Sequence, residues 1–165
     1  MAIAKWFPEL TRATPLRVVA RTVLEARSSG VEHYLQKMKR SPGRDPEDVH
    51  QLRVATRRLA AALSIFKPCL DRQARRRLRR AARKLRRAAG ALRDWDVQHS
   101  MLTDRCTETE GLPISAVRGI RRALKTQRRS LQRDLRQAIQ HWAGRFRQFA
   151  AATLASLDTA DVETN

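Results

Sequence analysis

Acidic residues are scarce in this 165-residue chain: 16 Asp plus Glu stand against 35 Lys plus Arg, a formal charge of +19. Self-repulsion of that size opposes a compact state unless counter-anions bind, so the imbalance points to a polyanionic partner. Arginine greatly outnumbers lysine, and the forked guanidinium is the side chain best matched to phosphate oxygens. Aromatic residues are only 5% of the chain, which leaves little to stack against exposed bases. The two cysteines, Cys69 and Cys106, lie far apart without the CxxC or Cys/His spacing of a metal site and read as isolated thiols. No stretch approaches the ~20 apolar residues of a membrane span, and Trp6 and Pro8 interrupt the region where a secretory signal would carry its apolar run. The expectation is a soluble, cytoplasmic protein.

Strand signals are missing too. There are no alternating β-branched runs and no Asn-Gly hairpin, so the chain reads as all-α. Its length suits one domain with a real core. Phosphotransfer chemistry would ask for a Gly-rich cradle of the GxxxxGK[ST] type or a set of carboxylates for Mg²⁺, and neither is present beyond Asp94 and Asp96. No catalytic residue, cofactor or metal ligand is assigned. His33, His99 and His141 receive no role.

What is present is a series of amphipathic helices. Thr14-Pro15 opens the first, expected over about 15–39, with Leu16, Val19, Val23, Val31, Leu35 and Met38 at helical spacing. Arg40-Ser41-Pro42-Gly43-Arg44 is a turn. The second helix, about 46–67, starts at Asp45-Pro46-Glu47-Asp48, where Asp45 can cap, Pro46 suits the first helical position and Asp48 stands where a capping box wants an acid. Its stripe Leu52, Ala55, Leu59, Ala62, Leu63 and Phe66 is apolar. His50, Arg53 and Arg57 fall on the other side at i, i+3 and i+7. Taken alone, such a charged row is usually no more than a solvated face.

The third helix, about 71–104, holds ten basic residues and no acid between Arg72 and Arg87. Ala74, Leu78, Ala81, Ala82, Leu85, Ala89 and Leu92 form its apolar stripe, while Arg76, Arg79, Arg80, Arg83, Arg86 and Arg87 fan over the other side. A disordered basic arm would lack that stripe. Asp94 and Asp96 are expected to orient guanidiniums such as Arg93. The fourth helix, about 113–157, carries Val117, Ile120, Leu124, Leu131, Leu135, Ala138, Trp142, Phe146 and Phe149 as its core stripe, and residues 158–165 are expected to fray. Arg128 stands within that stripe and must meet an acid, water or a bound anion. Four such helices with short loops bury their stripes most simply as an antiparallel four-helix bundle.

Two motifs resemble those of a known family: Asp45-Pro46-Glu47-Asp48-Val49-His50-Gln51-Leu52-Arg53-Val54-Ala55-Thr56-Arg57-Arg58-Leu59, and the Arg-rich helix ending Gly90-Ala91-Leu92-Arg93-Asp94-Trp95-Asp96-Val97. With the long last helix bearing Arg128, they are similar to the CHAD domain, a histidine-containing helical domain whose members bind inorganic polyphosphate. The resemblance implies that His50, Arg53, Arg57 and Arg58, with Arg83 and Arg87, line a basic groove. Arg93, Arg128 and Lys125 would contribute, and Arg76, Arg79 and Arg80 join them from the cationic fan. Family members usually hold two four-helix units in tandem, whereas this chain has motifs for one. The expectation is one half of that arrangement, completed by a homodimer. A triphosphate-tunnel enzyme activity, which often accompanies the family, is not expected, because Glu108-Thr109-Glu110 lacks the following lysine of a Glu-x-Glu-x-Lys strand.

The first functional reading is therefore non-enzymatic binding of polyphosphate, with localisation at cytoplasmic polyphosphate granules as a corollary. Protonation of His50 at low pH would add charge to the row. The second is a nucleic-acid-binding basic helical protein, which the charge supports equally well. Few aromatics stand among the arginines, however, and no recognition-helix or zinc-finger signature is present.

Overall fold

A computed structural model describes residues 7, 9–108 and 114–159, with side chains described in all but 103–108, 114 and 159. Four helices follow in order: α1 (Leu16–Lys37), α2 (Pro46–Ile65), α3 (Arg72–Glu108) and α4 (Ile114–Thr159), with one 3-10 turn at Lys67–Cys69 and no strand among the described residues. They pack in a ring, α1 on α2, α2 on α3, α3 on α4, and α4 back on α1. The fold is an all-α bundle.

Local chemistry sets the boundaries. The Asp45 carboxylate accepts the Glu47 backbone N–H at 2.8 Å with Pro46 at the first helical position, so α2 starts where expected. Asp48 does not turn back to complete a capping box. It is nearly buried and takes Lys37 Nζ at 2.6 Å, fastening the end of α1 to the start of α2. α2 ends at Ile65, two residues short of the expectation: Pro68 has no N–H to continue the helical ladder, and the chain tightens into the 3-10 turn. The Asp71 carboxylate then caps α3, accepting from Ala74 N at 2.7 Å.

α3 runs to Glu108 and α4 to Thr159, past the expected ends at 104 and 157; the expected frayed segment beyond Thr159 lies outside the described residues. Asp158 remains helical and takes the Arg21 guanidinium, holding the end of α4 to the start of α1. The core is drawn from all four helices: Leu24 and Val31, Leu52 and Leu59, Leu78 and Leu85, Leu135 and Phe146 are each at most 1% exposed. Each such side chain contributes about 1.5–3 kcal/mol of transfer free energy.

Length mismatch decides the shape. At 1.5 Å per residue, α3 and α4 span about 55 and 69 Å, whereas α1 and α2 span about 33 and 30 Å. The α3–α4 hairpin therefore overhangs the bundle. Along the expected α4 stripe, Leu135 and Phe146 are buried, but Ile120 is 46% exposed, since neither short helix reaches it. The turn between α1 and α2 lies against α4 through Gly43, whose φ of +68° is a left-handed conformation. Its carbonyl accepts from Gln132 Nε2 at 2.9 Å and Arg128 Nη2 at 3.2 Å, and a Cβ there would lie 2.5 Å from Leu92 Cδ2. Conformation and close approach together require glycine.

Candidate anion-binding groove

α2 and α3 form an antiparallel pair across the 66–71 turn, and each presents one cationic row to the seam. On α2 the row is Arg53, Arg57, Ala60 and Ser64; on α3 it is Arg76, Arg80, Arg83 and Arg87, continuing to Asp94. Arg53 donates to Asp94 Oδ1 and joins the two rows at one end. Between them lies a groove of about 1060 Å³. Its floor is small, formed by Thr56, Ala60 and Ala82, and the Thr56 hydroxyl is turned inward to donate to Leu52 O at 2.9 Å. Small residues on α2 leave the space that long side chains on α3 overarch.

Arg76, Arg79, Arg80 and Arg83 form the wall, extended by Arg72, Arg77, Lys84 and Arg86. The one carboxylate in the lining, Asp71, is engaged as the α3 cap. No acid is paired with any of Arg76, Arg79, Arg80 or Arg83 among the described residues. Rows of like charge without internal partners on a rigid helix are preorganised for an anion and repel one another without it.

The other expected site residues divide. Arg57 is exposed on α2 between Arg53 and Ala60, Arg87 is exposed on the α3 row one turn beyond the groove, and His50 is half-buried one turn before Arg53; none of these three, nor Arg53, is among the residues that line the groove. Arg58 is turned the other way, beside α1: burial first, and then the Arg58 charge, lower the pKa of Arg27. Arg93 is half-buried on α3, and the carboxylates expected to hold it are engaged elsewhere. Neighbours one apart on a helix do not face each other. Asp94 goes to Arg53 and Asp96 to Arg128.

Arg128 is a quarter exposed. Its Nε meets Asp96 Oδ1 at 2.7 Å and its Nη2 meets Asp96 Oδ2 at 3.5 Å and the Gly43 carbonyl at 3.2 Å. Of the readings open for this residue, the acid partner is the one observed. Lys125 lies one turn away on the overhanging part of α4, among Arg121, Arg122 and Arg129 around a separate hollow of about 380 Å³. No residue of α4 lines the α2–α3 groove. The cations expected from three helices are thus brought together from two.

Arg72, Arg77, Lys84 and Arg86 line the groove beyond the expected residues, and the 72–76–79–83–86 spacing carries the signal for all but Arg77 and Lys84. The clamp of Gly43 and Gln132 was legible only as a Pro-Gly turn, with nothing to mark its partner on α4.

Among the described residues no group of His, Cys, Asp and Glu could hold a metal ion, and no helix is long and apolar enough to cross a membrane. Fold and groove together define a helical domain with an arginine-walled cleft on one seam. The chain belongs to the CHAD domain family, whose model matches residues 9–163, nearly its whole length. That family is associated with polyphosphate binding in general, and its domain is a helical binding domain, not a known catalytic fold. No curated protein and no solved structure gives a match.

Proposed function

We propose that this chain binds inorganic polyphosphate in the α2–α3 groove and does not turn it over. The observation that carries the reading is the groove wall itself: Arg76, Arg79, Arg80 and Arg83 face one channel without protein counter-ions. A linear phosphate chain has a charge on each unit and no base to read, so successive guanidiniums on a rigid helix suit it. The α3 row from Arg72 to Arg87 runs about 22 Å along the axis, room for several phosphates at once. Release of condensed counterions then supplies much of the affinity, by analogy with nucleic acids. His50, Arg53 and Arg57 extend the groove on α2, and Arg128 acts by holding the α1–α2 turn in place.

Nucleic acid is the second reading. Trp142 and Phe149 pack against the core, Phe146 is fully buried, Trp95 on α3 is half-buried and stacks on His99, and among the described residues no aromatic lines the arginine groove. Labelled long-chain polyphosphate challenged with single-stranded and duplex DNA at fixed salt separates the two. Polyphosphate should be displaced only by a large excess of DNA; equal displacement favours nucleic acid. Arg53→Glu with Arg57→Glu, at the edge of the groove, should weaken polyphosphate binding with helicity retained.

We further propose that residues 9–163 act as one four-helix unit and that two chains pair through the α3–α4 overhang. Met101 is 63%, Leu102 49% and Ile120 46% exposed there. A second copy would cover these side chains and supply the second unit of the usual tandem. Light scattering should give twice the chain mass, falling to one on Met101→Glu; a monomer throughout, with polyphosphate and without, removes this proposal.

A further inference from the structure

We propose that the groove between α1 and α4, on the seam opposite the arginine groove, is a second binding site that takes a nucleoside phosphate. This inference is independent of the polyphosphate reading and rests on different residues. The groove holds about 640 Å³, within the range of small-ligand sites. Its chemistry differs from that of the α2–α3 seam. Leu35 and Ile139, each 4% exposed, form an apolar floor with Ala143, where the other groove offers only Thr56 and alanines under a uniform cationic wall.

The polar groups are graded along its length. α1 and α4 run antiparallel, since Arg21 near the start of α1 donates to Leu154 O near the end of α4. That register sets Lys39 and Arg40 level with Arg136 at one end, Gln36 level with Gln140 in the middle, and Glu32 level with Gly144 and Arg147 at the other. Three cations at one end fit a phosphate group. Two amides midway can pair with sugar hydroxyls. At the far end a carboxylate and a guanidinium flank an apolar shelf, matching the donor and acceptor edges and the flat faces of a nucleobase. A fatty chain would use only the apolar floor and leave the cations, amides and Glu32 to solvent.

Two further observations bear on this groove. No hydrogen bond or ion pair engages Glu32, Arg136 or Arg147 among the described residues, although a carboxylate and guanidiniums line the same groove. Gly144 sits inside α4, where glycine is the poorest residue after proline, and a Cβ there would meet nothing within 4 Å. The same holds at Gly90 and Gly119, but at Gly144 the open space is the groove itself, so a larger side chain there would occupy it.

The test is calorimetric titration of the full chain with adenosine and guanosine diphosphate, and with pyrophosphate and the free nucleosides as the parts. It is run in an Arg80→Glu, Arg83→Glu background, so that the arginine groove does not take the phosphates. At least one diphosphate should bind ten-fold or more tightly than pyrophosphate or its nucleoside. Gly144→Leu, which fills the shelf and favours the helix, should weaken that binding ten-fold or more without lowering Tm. Arg136→Glu should weaken it similarly. In the unsubstituted background both should leave long-chain polyphosphate binding unchanged. Pyrophosphate binding as tightly as the diphosphates, retention of binding in Gly144→Leu, or no binding of either diphosphate would each overturn the proposal. None of these outcomes touches the polyphosphate reading, which fails separately if Arg80→Glu, Arg83→Glu binds polyphosphate as tightly as the unsubstituted protein.

Discussion

Arg53 on α2 donates to Asp94 on α3, closing the cationic seam at one end with a carboxylate that lies in the same row as Arg76, Arg80, Arg83 and Arg87. Both side chains are largely exposed, at 42% and 61%, so the pair stabilises the fold little. Asp94→Asn should therefore leave Tm almost unchanged while releasing Arg53 to the ligand. Polyphosphate affinity should rise by about 0.5–1 kcal/mol, a few-fold in Kd. A fall in affinity would mean that Asp94 holds Arg53 in its binding position.

The Arg128–Asp96 pair is a different case, with exposures of 26% and 10%. Removing one partner strands the other in a poorly solvated place. Asp96→Ala should cost about 1–3 kcal/mol, more than Asp94→Asn. Chemical denaturation of the two variants side by side measures the difference.

Gly43→Ala should destabilise by about 1–3 kcal/mol, through its left-handed φ and the approach to Leu92. Because the Gly43 carbonyl also receives Arg128 and Gln132, the damage should spread to the α1–α2 turn. Hydrogen exchange should show faster amides at residues 38–45, with those of the α2–α3 seam near Leu85 unaffected.

The Lys37–Asp48 pair gives a pH dependence. The Asp48 hydrogen bond is the largest effect and raises the Lys37 pKa above its ordinary value. A folded value above the unfolded one means a contribution that is complete below the ordinary lysine pKa and is lost as pH rises through the folded value. Asp48→Asn should lower Tm at neutral pH, and its Tm should converge on that of the unsubstituted protein in strongly alkaline solution. A constant difference across that range would show that Asp48 acts through packing alone.

Much of the fold was legible in the residues. The spacing of Leu52, Leu59 and Leu63, the Asp45-Pro46 start and the Asp71 cap fix α2 and the start of α3 locally, and the structure keeps them. Periodicity says which residues share a face of one helix; it does not say which neighbour that face meets. Arg58 and Arg57 are adjacent in a basic motif, yet Arg58 comes near Arg27 of α1 while Arg57, exposed on the Arg53 row, does not line the groove, a choice made by how the hairpin closes. The same limit applies to Lys125, whose distance from the groove follows from α4 outrunning α1 and α2. Ile120 lies outside the core for that reason too. The graded groove of Glu32, Gln36 and Arg136 is visible only once α1 and α4 are set antiparallel.

Salt should act strongly. By analogy with nucleic acids, log Kobs should fall linearly with log[salt], and each single Arg→Ala at Arg76, Arg79, Arg80 or Arg83 should reduce the slope by about one. Titrations at a series of ionic strengths give the slopes directly. An unchanged slope for Arg80→Ala would remove that guanidinium from the phosphate contacts.

Charge reversal at matched net charge is the most direct measurement. Arg80→Glu with Arg83→Glu changes the α2–α3 seam, and Lys125→Glu with Arg129→Glu changes the α4 overhang by the same amount. Binding of labelled long-chain polyphosphate should fall a hundred-fold or more, about 3 kcal/mol, in the first variant and by less than ten-fold in the second. Equal losses in the two would show that the chain holds polyphosphate by its overall charge and that the arginine groove is not the site.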